Sequence, residues 1–137
     1  MYIVTGCAGF IGFHFSKFLI KKKIKIIGID NINSYYSKNY KFDRLNILKK
    51  SKYFKFYKID LNNKKKLSLI FQKNKITKIV HFAAQPGVMY SYKNPSSYKK
   101  NNVEATKNLV EFTIKNKIKK FIFCSSSSVY GDHKRYP

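Results

Sequence analysis

The stretch Tyr2-Ile3-Val4-Thr5-Gly6-Cys7-Ala8-Gly9-Phe10-Ile11-Gly12 decides how this chain folds. A short apolar strand runs straight into three glycines spaced three apart, and an apolar-periodic helix follows. The first glycine permits a tight turn. The second lets bare backbone approach a diphosphate, and the third lets the helix pack close to the strand. A helix N-terminus adds free N–H groups and a partial positive charge, both suited to an anion.

A second strand, Ile24-Lys25-Ile26-Ile27-Gly28-Ile29-Asp30, ends in an acid 18 residues beyond Gly12. That is close to the spacing at which a carboxylate meets the adenosine ribose in a βαβ dinucleotide unit. A carboxylate there accepts hydrogen bonds from the ribose hydroxyls and repels a 2′-phosphate, which points to NAD rather than NADP. The other reading of Asp30 is a turn residue that caps the strand end beside Asn31.

The alternation continues along the chain. Strands are expected over 2–5, 24–30, 53–59, 78–82 and 120–125, and helices over 10–22, 38–50, 63–73 and 94–116. The first helix takes its apolar stripe from Phe10, Ile11, Phe13, His14, Phe18 and Leu19. The second buries Phe42, Leu45, Ile47 and Leu48. Residues 31–37 and 85–95 read as loops, and Pro95 suits the first turn of the long helix. Near-continuous apolar strands alternating with helices make an α/β protein, a doubly wound parallel sheet of the Rossmann type. The right-handed crossover rule and the glycine turn favour strand order 3-2-1-4-5. A length of 137 residues makes one domain, 1–137, without internal repeat or linker.

The formal net charge of +23 normally suggests nucleic acid or an anionic surface. Here nearly all of it is lysine; Arg44 and Arg135 are the only arginines. Lys, Asn, Ile, Phe and Tyr, all A/T-rich in their codons, make up more than half the chain. Genome composition accounts for that bias, and bidentate base contacts want arginine. No specific nucleic-acid partner is therefore expected, only weak, salt-sensitive attraction to polyanions. The lysine runs at 21–23 and 64–66 read as solvated helix faces or ends. Cys7 and Cys124 stand alone, with no disulfide expected and a cytoplasmic setting as the default. The three histidines have no metal-ligand spacing, and no metal is assigned. No signal peptide and no membrane association are expected, since no basic-then-apolar leader and no long apolar run occur.

The unusual residues gather at strand ends, where a doubly wound sheet binds its ligand. They are the glycine turn, Asp30-Asn31, Asp60-Leu61, His81-Phe82-Ala83-Ala84, and the run Ser125-Ser126-Ser127-Ser128-Val129-Tyr130-Gly131. In this order they resemble the extended short-chain dehydrogenase/reductase superfamily of NAD-dependent epimerases and dehydratases. Ile29-Asp30-Asn31 through Tyr35-Tyr36, His81 to Gln85 with Gly87-Val88, Asn94-Pro95, and the serine run followed by Lys134 and Pro137 are most similar to UDP-glucuronate 4-epimerases.

The resemblance implies roles. Gly6, Gly9, Phe10, Ile11 and Gly12 would cradle the NAD diphosphate, and Asp30 with Asn31 would hold the adenosine ribose. Asp60 would bond the adenine amino group beside Leu61; by itself it reads equally as an N-cap. Phe82, Ala83 and Ala84 would pass close to the nicotinamide half, where small residues also simply pack tightly. Asn102 matches an active-site asparagine, or is a polar helix residue; Ser125 would line the cofactor. Ser126 matches the catalytic serine, or merely opens a polar loop.

The reaction implied is transient oxidation at C4 of a UDP-sugar, in surface polysaccharide synthesis, by a homodimeric enzyme. A tyrosinate would take the hydroxyl proton, and a lysine four residues on would lower the tyrosine pKa. Tyr130 and Lys134 have that spacing but follow Ser126 too closely and sit on a strand exit, so they are rejected as the pair. The resemblance therefore implies a domain incomplete at its C-terminus, stopping before the last strands and the substrate domain, and inactive alone. Met89 stands where the subgroup commonly has arginine, and Ala105 where glycine is usual. A nucleotide-sugar dehydratase or reductase and a non-catalytic NAD-binding domain are the alternatives.

Overall fold

The structure, a computed structural model, describes residues 1–132. Five parallel strands, β1 (Tyr2–Thr5), β2 (Ile26–Asp30), β3 (Phe54–Lys58), β4 (Lys78–His81) and β5 (Lys120–Phe123), form one sheet in the order β3-β2-β1-β4-β5. Both the parallel class and the order agree with the sequence expectation. In register, Thr5 lies opposite Ile29 on one side and His81 on the other, so the strand ends align into one rim.

Alternate residues supply two cores. Ile3, Ile27, Ile29 and Ile79 face one side and pack with Leu67, Ile70 and Phe71 of α3 (Lys64–Lys73) and Leu109 of α6 (Ala105–Lys115). Val4, Ile26 and Phe54 face the other and pack with Phe13 and Leu19 of α1 (Phe10–Lys21) and with Leu45 and Leu48 of α2 (Lys38–Lys49). The period-two exposure of the central strands β1 and β2 to two helical layers is what makes them apolar on both faces.

Three expectations need correction. The inward stripe of α1 is Gly12, Phe13, Ser16 and Leu19; Phe10, Ile11, His14 and Phe18 are exposed. On α2, Leu45 and Leu48 are buried with Lys41, whereas Phe42 and Ile47 are 45% and 49% exposed. Apolar residues outnumber the places on each stripe, so spacing from the wrong starting residue selects the wrong face. Finally, 85–95 is not all loop: α4 spans Val88–Lys93, and none of its residues is buried, so it carries no core periodicity. The long helix begins as α5 (Pro95–Tyr98), N-capped by Asn94, whose side chain accepts from the Ser97 amide. It passes through a π-helical segment, Lys99–Glu104, into α6.

Cys7 is buried and Cys124 exposed, and both are free. No helix among the described residues is long and apolar enough to cross a membrane. The same residues hold no cluster of three or more His, Cys, Asp or Glu that could bind a metal ion.

Candidate functional site

A cleft of about 580 Å³ opens over the carboxyl ends of β1 to β4. The glycine turn with Phe10 and Ile11 forms one wall. Asp30 and Asn31, Asp60 and Leu61, and Phe82 to Ala84 form the rest. All of these were expected from sequence to hold the cofactor, and the topology brings them together.

The turn owes its shape to two glycines. Gly6 has φ +66°, and a Cβ there would meet the Ala83 nitrogen at 2.8 Å. At Gly12 a Cβ would drive into the Gly6 carbonyl oxygen. Gly9 differs: its Cβ would meet only the Gly6 oxygen, at 3.1 Å, and the residue lines the cleft. Gly6 and Gly12 therefore hold the turn, while Gly9 keeps the cradle bare. The Gly9 amide donates to the Gly6 carbonyl at 3.0 Å and the Phe13 amide to the Gly9 carbonyl at 3.0 Å. The amides of Phe10, Ile11 and Gly12 have no acceptor among the described residues, and no acid occupies the first turn. Three free donors at a helix N-terminus bordering a cleft are a ready anion site.

Asp30 combines its two readings. One carboxylate oxygen accepts from the Ile32 amide at 2.9 Å, as a strand-end cap does. The other accepts from the Ala8 amide at 3.1 Å, tying the end of β2 to the glycine turn. The carboxylate is 8% exposed, lines the cleft, and keeps lone pairs for further donors. Burial of Cys7, and to a lesser extent the Asp30 charge, push the Cys7 thiol pKa up. Asp60 is not an N-cap. Its Oδ1 accepts from the Asn62 amide at 2.9 Å and from Asn62 Nδ2 at 3.1 Å. Asn63 is the cap of α3, accepting from the Lys66 amide at 3.0 Å.

Sequence reasoning missed two cations in this cleft. Lys41, 8% exposed, donates to the Asn33 carbonyl at 3.2 Å and to Asn33 Oδ1 at 2.7 Å. Burial lowers its pKa; Asp30 opposes that shift and Arg44 adds to it. Arg44 donates to the Ala8 carbonyl at 3.2 Å, and its guanidinium carbon lies 5.9 Å from the Phe10 ring centroid. Both line the cleft. The available signal was spacing: Lys41, Leu45 and Leu48 form one helical stripe, which places the lysine inward.

Asn102, Ser125 and Ser126 do not line this cleft. Asn102 sits in the π segment and grips the backbone of Gln85, accepting from its amide at 2.7 Å and donating to its carbonyl at 3.1 Å. Ala105 and Asn101 reach the cleft instead. Ser125 and Ser126 follow β5 and are exposed, and Tyr130 ends a 3₁₀ turn, Ser127–Tyr130, at 57% exposure. Lys134 and Pro137, named above, lie outside the described residues.

The residues present fit a dinucleotide. Free amides and bare Gly9 suit a diphosphate, Asp30 suits ribose hydroxyls, and Ala83, Ala84 and Ala105 leave room along one wall. Comparison with known proteins agrees. A family model described as GDP-mannose 4,6 dehydratase matches residues 3–137. The chain belongs to this family. Within reach of it, the chain is 43% identical over 130 residues to a UDP-glucuronate 4-epimerase of Thermodesulfobacterium geofontis, covering 95% of this chain and 40% of the relative. It superposes with a TM-score of 0.89 and 35% identity on UDP-glucuronic acid 4-epimerase from Bacillus cereus, solved with UDP-glucuronic acid and NAD. That match covers 98% of this chain and 42% of the other. A UDP-Glc/GlcNAc 4-epimerase from Campylobacter jejuni gives 0.86 and 34%, over 98% and 39%. The chain thus spans about 40% of the length of these family members. The resemblance to nucleotide-sugar epimerases holds in both sequence and structure.

Proposed function

We propose that this chain forms the NAD-binding domain, residues 1–137, of a nucleotide-sugar 4-epimerase acting on a UDP-hexuronic acid. The observation that carries the reading is the cleft itself, where three unclaimed amides, bare Gly9 and the Asp30 carboxylate meet within one rim. Likeness to UDP-glucuronate 4-epimerases supports the substrate class.

NAD, when bound, supplies the hydride acceptor and donor for transient oxidation at C4. The Phe10, Ile11 and Gly12 amides hold the diphosphate, with Arg44 and Lys41 adding positive charge along the same wall. Asp30 accepts from the ribose hydroxyls and disfavours a 2′-phosphate. Asp60 and Leu61 border the adenine. Ala83 and Ala84 admit the nicotinamide half, and Asn102 fixes the Gln85 backbone beside them. Ser126, by its likeness to the family serine, hydrogen-bonds the reacting oxygen, and Ser125 flanks the cofactor. On this reading the domain belongs to a cytoplasmic homodimer that feeds surface polysaccharide synthesis.

Calorimetry with NAD and NADP tests the reading. NAD is expected to bind more tightly. Asp30→Asn keeps an acceptor for Ile32 but removes the charge, and is expected to narrow the preference by about 1–3 kcal/mol. Equal or tighter binding of NADP by the unaltered chain refutes it.

A further inference from the structure

A line of hydrogen bonds, buried at its centre, runs from β1 through β4 to the helix beside the cleft. The Ala83 amide donates to Thr5 Oγ1 at 3.1 Å. Thr5 Oγ1 lies 2.6 Å from His81 Nδ1, and His81 Nε2 lies 2.8 Å from Thr106 Oγ1. Thr106 Oγ1 then donates to the Asn102 carbonyl at 2.6 Å. Thr5 is fully buried and His81 is 1% exposed.

Counting hydrogens settles their positions. A carbonyl only accepts, so Thr106 commits its single hydroxyl hydrogen to Asn102 and can only accept from His81. His81 Nε2 therefore carries a hydrogen. The Thr5 oxygen accepts from Ala83, and its own hydrogen needs an acceptor in a dry site. Among the described residues His81 Nδ1 is the partner in reach, so Nδ1 is bare. The Phe121 and Phe123 rings lie beside it, at centroid distances of 6.1 and 5.7 Å. Burial alone pulls its pKa down to about 4, in keeping with a neutral ring.

The line ends on Asn102, whose side chain holds Gln85 at both its amide and its carbonyl. The ledge Ala83-Ala84, which walls the cleft, is thus pinned at Ala83 by Thr5 and just beyond it by Asn102. We propose that His81 is a positioning residue: as the Nε2–H tautomer it closes a one-directional hydrogen-bond line from Ala83 to Asn102 that sets this ledge for the dinucleotide. The ledge's service to a dinucleotide rests on the cofactor reading above; the line itself does not.

Three measurements on the whole chain test this. Nitrogen-15 NMR of the histidines at neutral pH is expected to show His81 protonated at Nε2 and bare at Nδ1; a proton on Nδ1 overturns the proposal. Thr5→Val removes both links at β1, and Thr5→Ser restores them. Relative to the Ile79 amide, Ala83 exchange is expected to quicken about tenfold or more in Thr5→Val and to return toward the original rate in Thr5→Ser. NAD affinity is expected to weaken about tenfold with the same rescue. Unchanged Ala83 exchange in Thr5→Val overturns the proposal, as does unchanged affinity where the unaltered chain binds NAD. If Thr5→Val does not fold, Thr106→Val against Thr106→Ser breaks the line at its helical end and is judged by the same readings. An unaltered chain that binds no NAD refutes the cofactor reading alone, and the tautomer and Ala83 exchange then decide the line.

Discussion

β2 and β5 are both parallel strands of one sheet, yet they live in different surroundings. Every residue of β2 is buried, and its end delivers Asp30 to a cleft where each partner is already in place. β5 is half-buried only at Phe121; Ile122 and Phe123 are 54% and 52% exposed, and the serines that follow are open to solvent. A strand at the centre of a sheet is covered on both faces, whereas an edge strand depends on whatever packs beside it. The chemistry follows the packing. Residues proposed to grip a cofactor stand at the buried half, preorganised by hydrogen bonds. Ser126, proposed to touch the reacting oxygen, stands at the exposed half and does not line the cleft.

The contrast can be broken most severely at the buried half. Gly12→Val puts a branched side chain into the Gly6 carbonyl, so both turn and helix must move. A loss of about 4 kcal/mol or more is expected, enough to unfold a marginal domain, and thermal melting followed by circular dichroism checks it. Gly9→Val sharpens the distinction between holding the turn and serving the ligand. Its melting temperature should stay close to that of the unaltered chain, while NAD affinity falls at least a hundredfold, about 3 kcal/mol, by calorimetry. Equal affinity would make the turn purely structural.

His81 joins the two halves through β4, and pH reads that junction. Its folded pKa, about 4, is below the ordinary histidine value of 6.5. The unfolded chain therefore binds more protons between these values, and stability must fall as pH drops from about 6.5 toward 4. The expected loss is about 2–3 kcal/mol in urea titrations across that window, and His81→Gln should flatten the slope. The smallest effect belongs to the exposed half. Ile122→Ala should cost less than about 1 kcal/mol by the same titrations and leave NAD affinity unchanged, because little apolar surface is lost from the core. A cost of several kcal/mol would mean that β5 is as well packed as β2.

Much of the site was legible because its signals are local. Three glycines at fixed spacing define a turn, and an acid at the end of the next strand falls beside it once the crossover is right-handed. Asp60 and the Phe82 to Ala84 segment reach the same rim because every strand of a parallel sheet ends on one side. The helical residues that were missed or misjudged depend on which of several stripes allowed by spacing faces inward. Lys41 and Arg44 look like solvated helix residues, and Phe42 and Ile47 look buried, because α2 carries apolar and charged side chains all round. Asp60 has the composition of an N-cap, but the cap is Asn63, three residues later.

The sequence by itself determined the fold class, the strand order and the ends of β1 to β4 as the rim of the cleft, since periodicity, glycine geometry and crossover handedness all act over short stretches; the serine run after β5, read as part of the same rim, does not line it. Only the tertiary structure decided which side of each helix faces inward and which hydrogen bonds close across the sheet. Arg44 meets the Ala8 carbonyl 36 residues away, and Thr5 meets His81 across 76. Such contacts depend on how layers settle against one another, and the free energy of burying a lysine or orienting an imidazole is set only when the partners are there.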